Sequence, residues 1–294
     1  MSSSDPAMTD TPAPGPAPEV PAAKKQGTDW WAEIKAIFWL ILAVLAFHSF
    51  IAKPFYIPSE SMMPGLLTGD RLVVSKYPYG WSWVSPSFHI LPPMEGRVLG
   101  RMPERGDIVI VTPPGTRTDY IKRVIGMPGD ILQMVNGQLI INGRPVKRQV
   151  LPPAMVPVDA NSPCGSDRDP ALYDFRVRGA DGKMYCRVPI VRERLPNGRS
   201  YLTVELGSFH TDNFGPIRMP PEHLWLMGDN RDDSADSRVE VFRGGLGGTV
   251  PWENIGGRAE FITFSLDGTT VWWNPLTWFD AFRSGRAGTS LRRS

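Results

Sequence analysis

Apolar and polar positions along the chain fall into distinct regimes. Residues 1–28 are rich in Pro, Ala, Ser and small polar side chains with almost no large apolar group. Such a stretch cannot repay the entropy of ordering and is expected to be disordered. An uncharged run from Ala36 to Ala52 follows, near the lower length limit for a spanning helix, about 17 residues. Trp30, Trp31 and Trp39 suit an interfacial belt, and Lys35 and Lys53 can snorkel at its ends. The pattern predicts a transmembrane anchor over residues 29–53. A cleaved secretory signal fits less well, because no small-x-small site clearly follows before Lys53. A buried core helix also fits less well, because a helix apolar all round at the edge of a domain usually meets lipid. Lys24, Lys25 and Lys35 precede the span while Lys53, Arg71 and Lys76 follow it, so charge leaves the orientation open.

From Pro54 the pattern turns to short strands. Arg71-Leu72-Val73-Val74 and Ile108-Val109-Ile110-Val111 are β-branched runs bounded by Gly, Pro or Asp, and Met127-Pro128-Gly129-Asp130 has the order of a type II turn. Asn136-Gly137 and Asn142-Gly143 flank Gln138-Leu139-Ile140-Ile141, a strong signal for consecutive hairpins, expected to build the sheet that carries Lys122. The fold class is therefore mainly β: an N-terminal transmembrane helix, then an antiparallel β-sheet domain. Residues 54–143 and 222–270 are assigned to that domain. Residues 144–221, with weaker alternation and both cysteines, read as an inserted β-rich extension to which no chemistry attaches. Residues 271–294 combine aromatics with Arg283, Arg286, Arg292 and Arg293, which fits an element resting on anionic lipid or a segment packed on the domain.

Composition adds little and excludes some classes. Thirty-two Lys and Arg nearly balance 30 Asp and Glu, which gives no argument for nucleic acid. Thirty Pro and 29 Gly favour strands and turns over helices. Cys164 and Cys186, the two cysteines, form no C-x-x-C arrangement and make a metal site improbable; a disulfide and two free thiols both remain open.

Three stretches carry candidate chemistry. In Pro58-Ser59-Glu60-Ser61-Met62-Met63-Pro64, prolines restrict a Ser-x-Ser pair whose hydroxyls project the same way if the backbone is extended; alone, it reads as an ordinary Ser-rich turn. In Asp119-Tyr120-Ile121-Lys122-Arg123-Val124-Ile125-Gly126-Met127-Pro128-Gly129-Asp130, alternation places Lys122 with Tyr120 and Val124 on one strand face. Burial there lowers the amine pKa and makes it a base for a hydroxyl; alone, it reads as a lysine snorkelling from a strand edge. The third stretch is Gly228-Asp229-Asn230-Arg231-Asp232-Asp233-Ser234-Ala235-Asp236-Ser237-Arg238.

These blocks, in this order behind a membrane anchor and with Arg105-Gly106-Asp107-Ile108-Val109 as a fourth, resemble bacterial type I signal peptidase, also called leader peptidase. The match covers residues 54–80, 105–143 and 224–260. The resemblance implies a membrane-bound serine endopeptidase of the Ser-Lys dyad type on the outer, periplasmic side of the bacterial cytoplasmic membrane. Its substrates would be preproteins cut after an Ala-x-Ala-like site. It implies Ser61 as nucleophile, Lys122 as general base, and the Ser61 backbone N–H with the Ser59 hydroxyl as oxyanion hole. Ser234 would hold the lysine amine, and Asp229 with Arg123 and Asp236 with Arg238 would be supporting ion pairs. The scissile segment would add as a strand, and Phe55, Ile57, Pro58, Met62, Leu66, Tyr120 and Ile121 are the candidate substrate contacts. Glu60 is expected to point away from the cleft.

The implied partners are preprotein signal peptides and the lipid bilayer, without nucleic acid, and a monomer is expected. No cofactor or metal is expected. A calcium loop from Asp229, Asp233 and Glu240 is weakened by Arg231 at a ligand position and by Ser234 where glycine should turn. A Ser-His-Asp triad using His223 lacks a Gly-x-Ser-x-Gly elbow. A specialised pilin or conjugation-type signal peptidase and a membrane-tethered binding module without catalysis stand as alternative functions. A self-cleaving repressor-type protease would need a DNA-binding module that the sequence does not show.

Overall fold

The computed structural model describes residues 29–165, 170–271 and 273–292; the stretch 1–28 expected to be disordered lies outside them, as do Trp272 and Arg293. The described residues divide into two units between Ile41 and Leu42. Helix α1 (Trp30–Phe50) begins in the first and ends in the second. Asp29 caps it, its carboxylate accepting from the backbone N–H groups of Trp31 at 3.1 Å and Ala32 at 3.3 Å. Its 21 residues, at 1.5 Å each, extend about 30 Å, the thickness of a hydrocarbon core. It is the one helix among the described residues long and apolar enough to cross a membrane.

The helix stops earlier than the apolar run. Ala52 and Lys53, assigned to the anchor from sequence, open strand β1 (Ala52–Tyr56) instead, because Pro54 disfavours helical backbone in the residue before it. The helix end is tied into the second unit. The Trp81 indole donates to the Phe50 carbonyl at 2.9 Å, and the Ser87 N–H to the Ser49 hydroxyl at 3.0 Å.

The remaining strands, in chain order, are β2 (Asp70–Ser75), β3 (Ile108–Val111), β4 (Tyr120–Gly126), β5 (Ile131–Val135), β6 (Gln138–Ile141), β7 (Arg144–Pro145), β8 (Lys147–Pro157), β9 (Arg176–Arg178), β10 (Met184–Arg194), β11 (Ser200–Val204), β12 (Phe214–Arg218), β13 (His223–Met227), β14 (Val250–Pro251) and β15 (Ile255–Ser265). All pairings between them are antiparallel. One seven-stranded sheet runs β1-β2-β15-β3-β4-β13-β14; a second runs β11-β10-β8 with β9 beside β10; a third runs β12-β5-β6-β7.

Two Asn-Gly turns form the hairpins of the third sheet, with positive φ at Asn136, Gly137, Asn142 and Gly143, the combination a two-residue type I′ turn requires. These hairpins do not extend the sheet of Lys122, as the sequence led us to expect. The turn after Gly126 carries the chain away, and β5 pairs on one side with β6 and on the other with β12, from the stretch assigned to the extension. The second sheet lies wholly within that stretch. Cys164 and Cys186 form a disulfide there, within an apolar cluster that includes Leu172, Val188 and Val204.

The terminal segment returns to the domain through its arginines. Arg283 pairs with Asp159 at 2.7 Å, Arg286 with Asp70 at 2.5 Å and Arg292 with Glu260 at 3.4 Å. Trp273, Leu276 and Phe279 of this segment are more than two-thirds exposed.

Candidate active site

Residues 59–65 make a turn rather than the extended segment the Ser-x-Ser reading assumed, closed by hydrogen bonds from Met63 N to the Glu60 carbonyl at 2.9 Å and from Leu66 N to the Met62 carbonyl at 3.0 Å. The hydroxyls of Ser59 and Ser61 still lie 3.4 Å apart. Glu60 does not line the cleft.

Lys122 reaches the same point from β4. Its Nζ donates to Ser61 Oγ at 2.8 Å, and the two side chains are 3% and 7% exposed. Burial pushes the amine down from 10.5 to about 8; Asp236, Asp233 and Asp229 pull it back up, while Arg238 adds to the lowering. Among the described residues no carboxylate forms an ion pair with it. An amine of this kind loses its proton near neutral pH, and the hydrogen bond then reverses, with the hydroxyl donating.

The segment after β13 encloses the lysine. Asp229 accepts from Arg123 Nε and Nη2, each at 2.7 Å, with both residues 2% exposed. Asp229 thus gives both oxygens to one guanidinium. Asp236 accepts from Arg238 at 2.9 Å and from the Gly228 N–H at 2.9 Å. Burial alone would raise its pKa, but the Arg238 charge and these donors hold it below the ordinary carboxylate range. The Asn230 N–H donates to the Ser61 carbonyl at 3.1 Å, which fixes the serine from behind.

Ser234 does not make the bond to the lysine that the resemblance implies. Its hydroxyl is buried without a hydrogen-bond partner among the described residues. It packs against Gly228, where an added Cβ would stand 2.2 Å from it. Lys122 turns its amine to Ser61 instead.

A cavity of about 330 Å³ opens over the two side chains, lined by Phe55, Pro58, Ser59, Ser61, Thr118, Asp119, Tyr120, Ile121, Lys122, Asp233 and Ala235. Its wall includes sheet edge: β13 pairs β4 only from Arg123 onward, and among the described residues no strand pairs Tyr120, Ile121 and Lys122 on that side. Of the expected substrate contacts, Phe55, Pro58, Tyr120 and Ile121 line it. Ile57, Met62 and Leu66 do not: each is fully buried in the core with Leu72, Ile108 and Ile262. An apolar side chain beside a catalytic turn can serve the core as readily as a pocket, and these three face inward. Thr118, Asp119, Asp233 and Ala235 were missed; Asp119 opened the second stretch, Asp233 and Ala235 stood within the third, and Thr118 gave no signal.

A family model described as signal peptidase, peptidase S26, matches residues 30–264. Signal peptidase I of Rickettsia typhi is 35% identical over 251 residues, 82% of each chain. That of Rickettsia akari is 32% identical over 255 residues, 84% of this chain and 82% of the relative. A crystal structure of a signal peptidase I from Enterococcus faecalis covers 54% of this chain and 97% of that one at 19% identity and a TM-score of 0.27, too loose a superposition to carry an argument. The breadth of these matches places the chain in the signal peptidase family, peptidase S26, whose members are serine endopeptidases.

Proposed function

We propose that the protein removes signal peptides from exported preproteins, cutting after small residues, with Ser61 as nucleophile and Lys122 as general base. The observation that carries this reading is the 2.8 Å contact between a buried amine and a buried hydroxyl that both line one cavity. The extended substrate adds along the unpaired edge of β4, with the Phe55–Pro58 stretch on the other side. Main-chain hydrogen bonds then set register, and the confined cavity admits only small side chains beside the scissile bond.

Ser61 Oγ attacks the scissile carbonyl as its proton passes to Lys122 Nζ. The Ser61 N–H and the Ser59 hydroxyl hold the oxyanion. Lys122 then hands the proton to the leaving amine, the mature protein departs, and water cleaves the acyl ester by the same route. Helix α1 anchors the enzyme in the cytoplasmic membrane with the catalytic unit on the outer side, where the Cys164–Cys186 disulfide suits an oxidising compartment. The exposed Trp273, Leu276 and Phe279 rest on lipid, whereas Arg283 and Arg286 are already committed to Asp159 and Asp70.

The test is incubation of the full chain in detergent with a preprotein bearing an Ala-x-Ala site, followed by N-terminal sequencing of the product. Cleavage after the second Ala is expected. Ser61→Ala and Lys122→Ala should each reduce it by about 10³-fold or more with the fold intact, and substantial activity in either variant would overturn the assignment.

A further inference from the structure

We propose that Glu193 and Tyr201, both in the β-rich extension, are positioning residues for the Ser61–Lys122 pair. This rests on the reading of that pair as catalytic and gives the extension a part in the reaction.

Glu193 on β10 is fully buried. Its carboxylate accepts from both terminal nitrogens of Arg231, at 3.1 and 2.5 Å, and from the Tyr201 hydroxyl at 2.7 Å. Arg148, a partly exposed side chain, approaches the same carboxylate to 3.9 Å. The Tyr201 ring lies under a second guanidinium, that of Arg123, at 4.4 Å. Two buried arginines therefore meet at one phenol: Arg231 is neutralised by Glu193, and Arg123 by Asp229.

Each arginine leads to the reacting pair. Arg123 follows Lys122 on β4. Arg231 lies in the segment that closes over the lysine, and its carbonyl accepts from Arg238 at 2.6 Å, the residue that pairs with Asp236. Strand β11 extends the same link through the backbone: Val204 N donates to the Asp229 carbonyl at 2.9 Å, and Arg231 N to the Val204 carbonyl at 3.0 Å. Between those residues, Asn230 holds the Ser61 carbonyl. Glu193 and Tyr201 touch neither substrate groove nor reacting atoms, so what they set is the placement of the segment that orients both. A buried cation whose counter-charge is removed moves or draws in water, because its desolvation is no longer repaid.

The experiment measures kcat and KM on a preprotein for the full chain in detergent, per active site titrated, for Glu193→Gln, Tyr201→Phe and the double variant Glu193→Gln/Arg231→Gln, with thermal unfolding of each. For Glu193→Gln, kcat should fall about 10- to 100-fold, the scale of a small misplacement of reacting groups, with KM within about twofold. The double variant removes both charges and should regain at least about fivefold of that loss. Tyr201→Phe keeps the ring under Arg123 and removes only the hydroxyl; it should lower kcat by a smaller factor, again without moving KM, and serves where Glu193→Gln does not fold. Wild-type kcat per titrated site in both single variants would overturn the proposal. So would a double variant no better than Glu193→Gln. Neither result touches the dyad reading, which stands or falls on Ser61→Ala and Lys122→Ala.

Discussion

Arg123 and Asp229 face each other through two hydrogen bonds of 2.7 Å, one position along the strand from Lys122. The strand thus presents two cations in succession, one locked to a carboxylate and the other left to a hydroxyl. Breaking the locked pair strands a buried charge. Asp229→Asn should destabilise the fold by about 3–5 kcal/mol, read as a lower midpoint in urea denaturation, and an unchanged midpoint would show the pair to be idle.

The pH dependence of turnover follows from the burial of Lys122. With its amine at about 8, and the neutral form required as base, kcat/KM should climb about tenfold per pH unit below that value and level off above it. Asp233 lines the cavity and favours the charged amine. Asp233→Asn should therefore move the acid limb to lower pH, as a pH series of initial rates will show. A limb that stays in place, or moves up, would mean that another group controls it.

Some of this was legible in the sequence, and the reasons differ from residue to residue. The Asn136-Gly137 and Asn142-Gly143 turns were readable because a type I′ turn is decided by the two residues in it. Which sheet those hairpins join was not, since pairing with β12 is a tertiary outcome. The apolar run announced α1 but not its end, which Pro54 sets. In the site, Ser61 and Lys122 were named by motif. Ile57, Met62 and Leu66 were misplaced because nothing local separates a core side chain from a pocket side chain. Glu193 was invisible: it lies 38 residues before Arg231, in no motif, and its role exists only once the second sheet has folded.

The lysine that serves the chemistry should cost stability. Its amine titrates near 8 in the folded chain against 10.5 when free, so between those values the unfolded chain binds more protons. Stability then rises with pH across that window and carries the full penalty below it. At 1.36 kcal/mol per pH unit, the penalty at neutral pH is about 3 kcal/mol. Lys122→Met keeps the volume and loses the charge. It should be inactive yet more stable than wild type at pH 7, by up to that amount in urea, with the advantage gone near pH 10.5. A variant less stable than wild type at pH 7 would show that the lysine is held by contacts rather than strained by burial.

Gly228 is the tightest point of the site, between the end of β13 and the segment over the lysine. A Cβ built there would lie 2.2 Å from Ser234 Oγ and 2.5 Å from the Ser61 carbonyl oxygen. The Ser234 side chain can rotate; the Ser61 carbonyl is backbone, and the Asn230 N–H holds it. Gly228→Ala must therefore push the serine turn away from β13 and lengthen the path from Ser61 Oγ to Lys122 Nζ. Displacements near an ångström cost about 10²-fold in rate. We expect kcat to fall by that factor in Gly228→Ala, and Gly228→Ala/Ser234→Ala to recover little, because the backbone clash remains. If the double variant instead returns to wild-type rate, the Ser234 contact and not the Ser61 carbonyl is what requires the glycine.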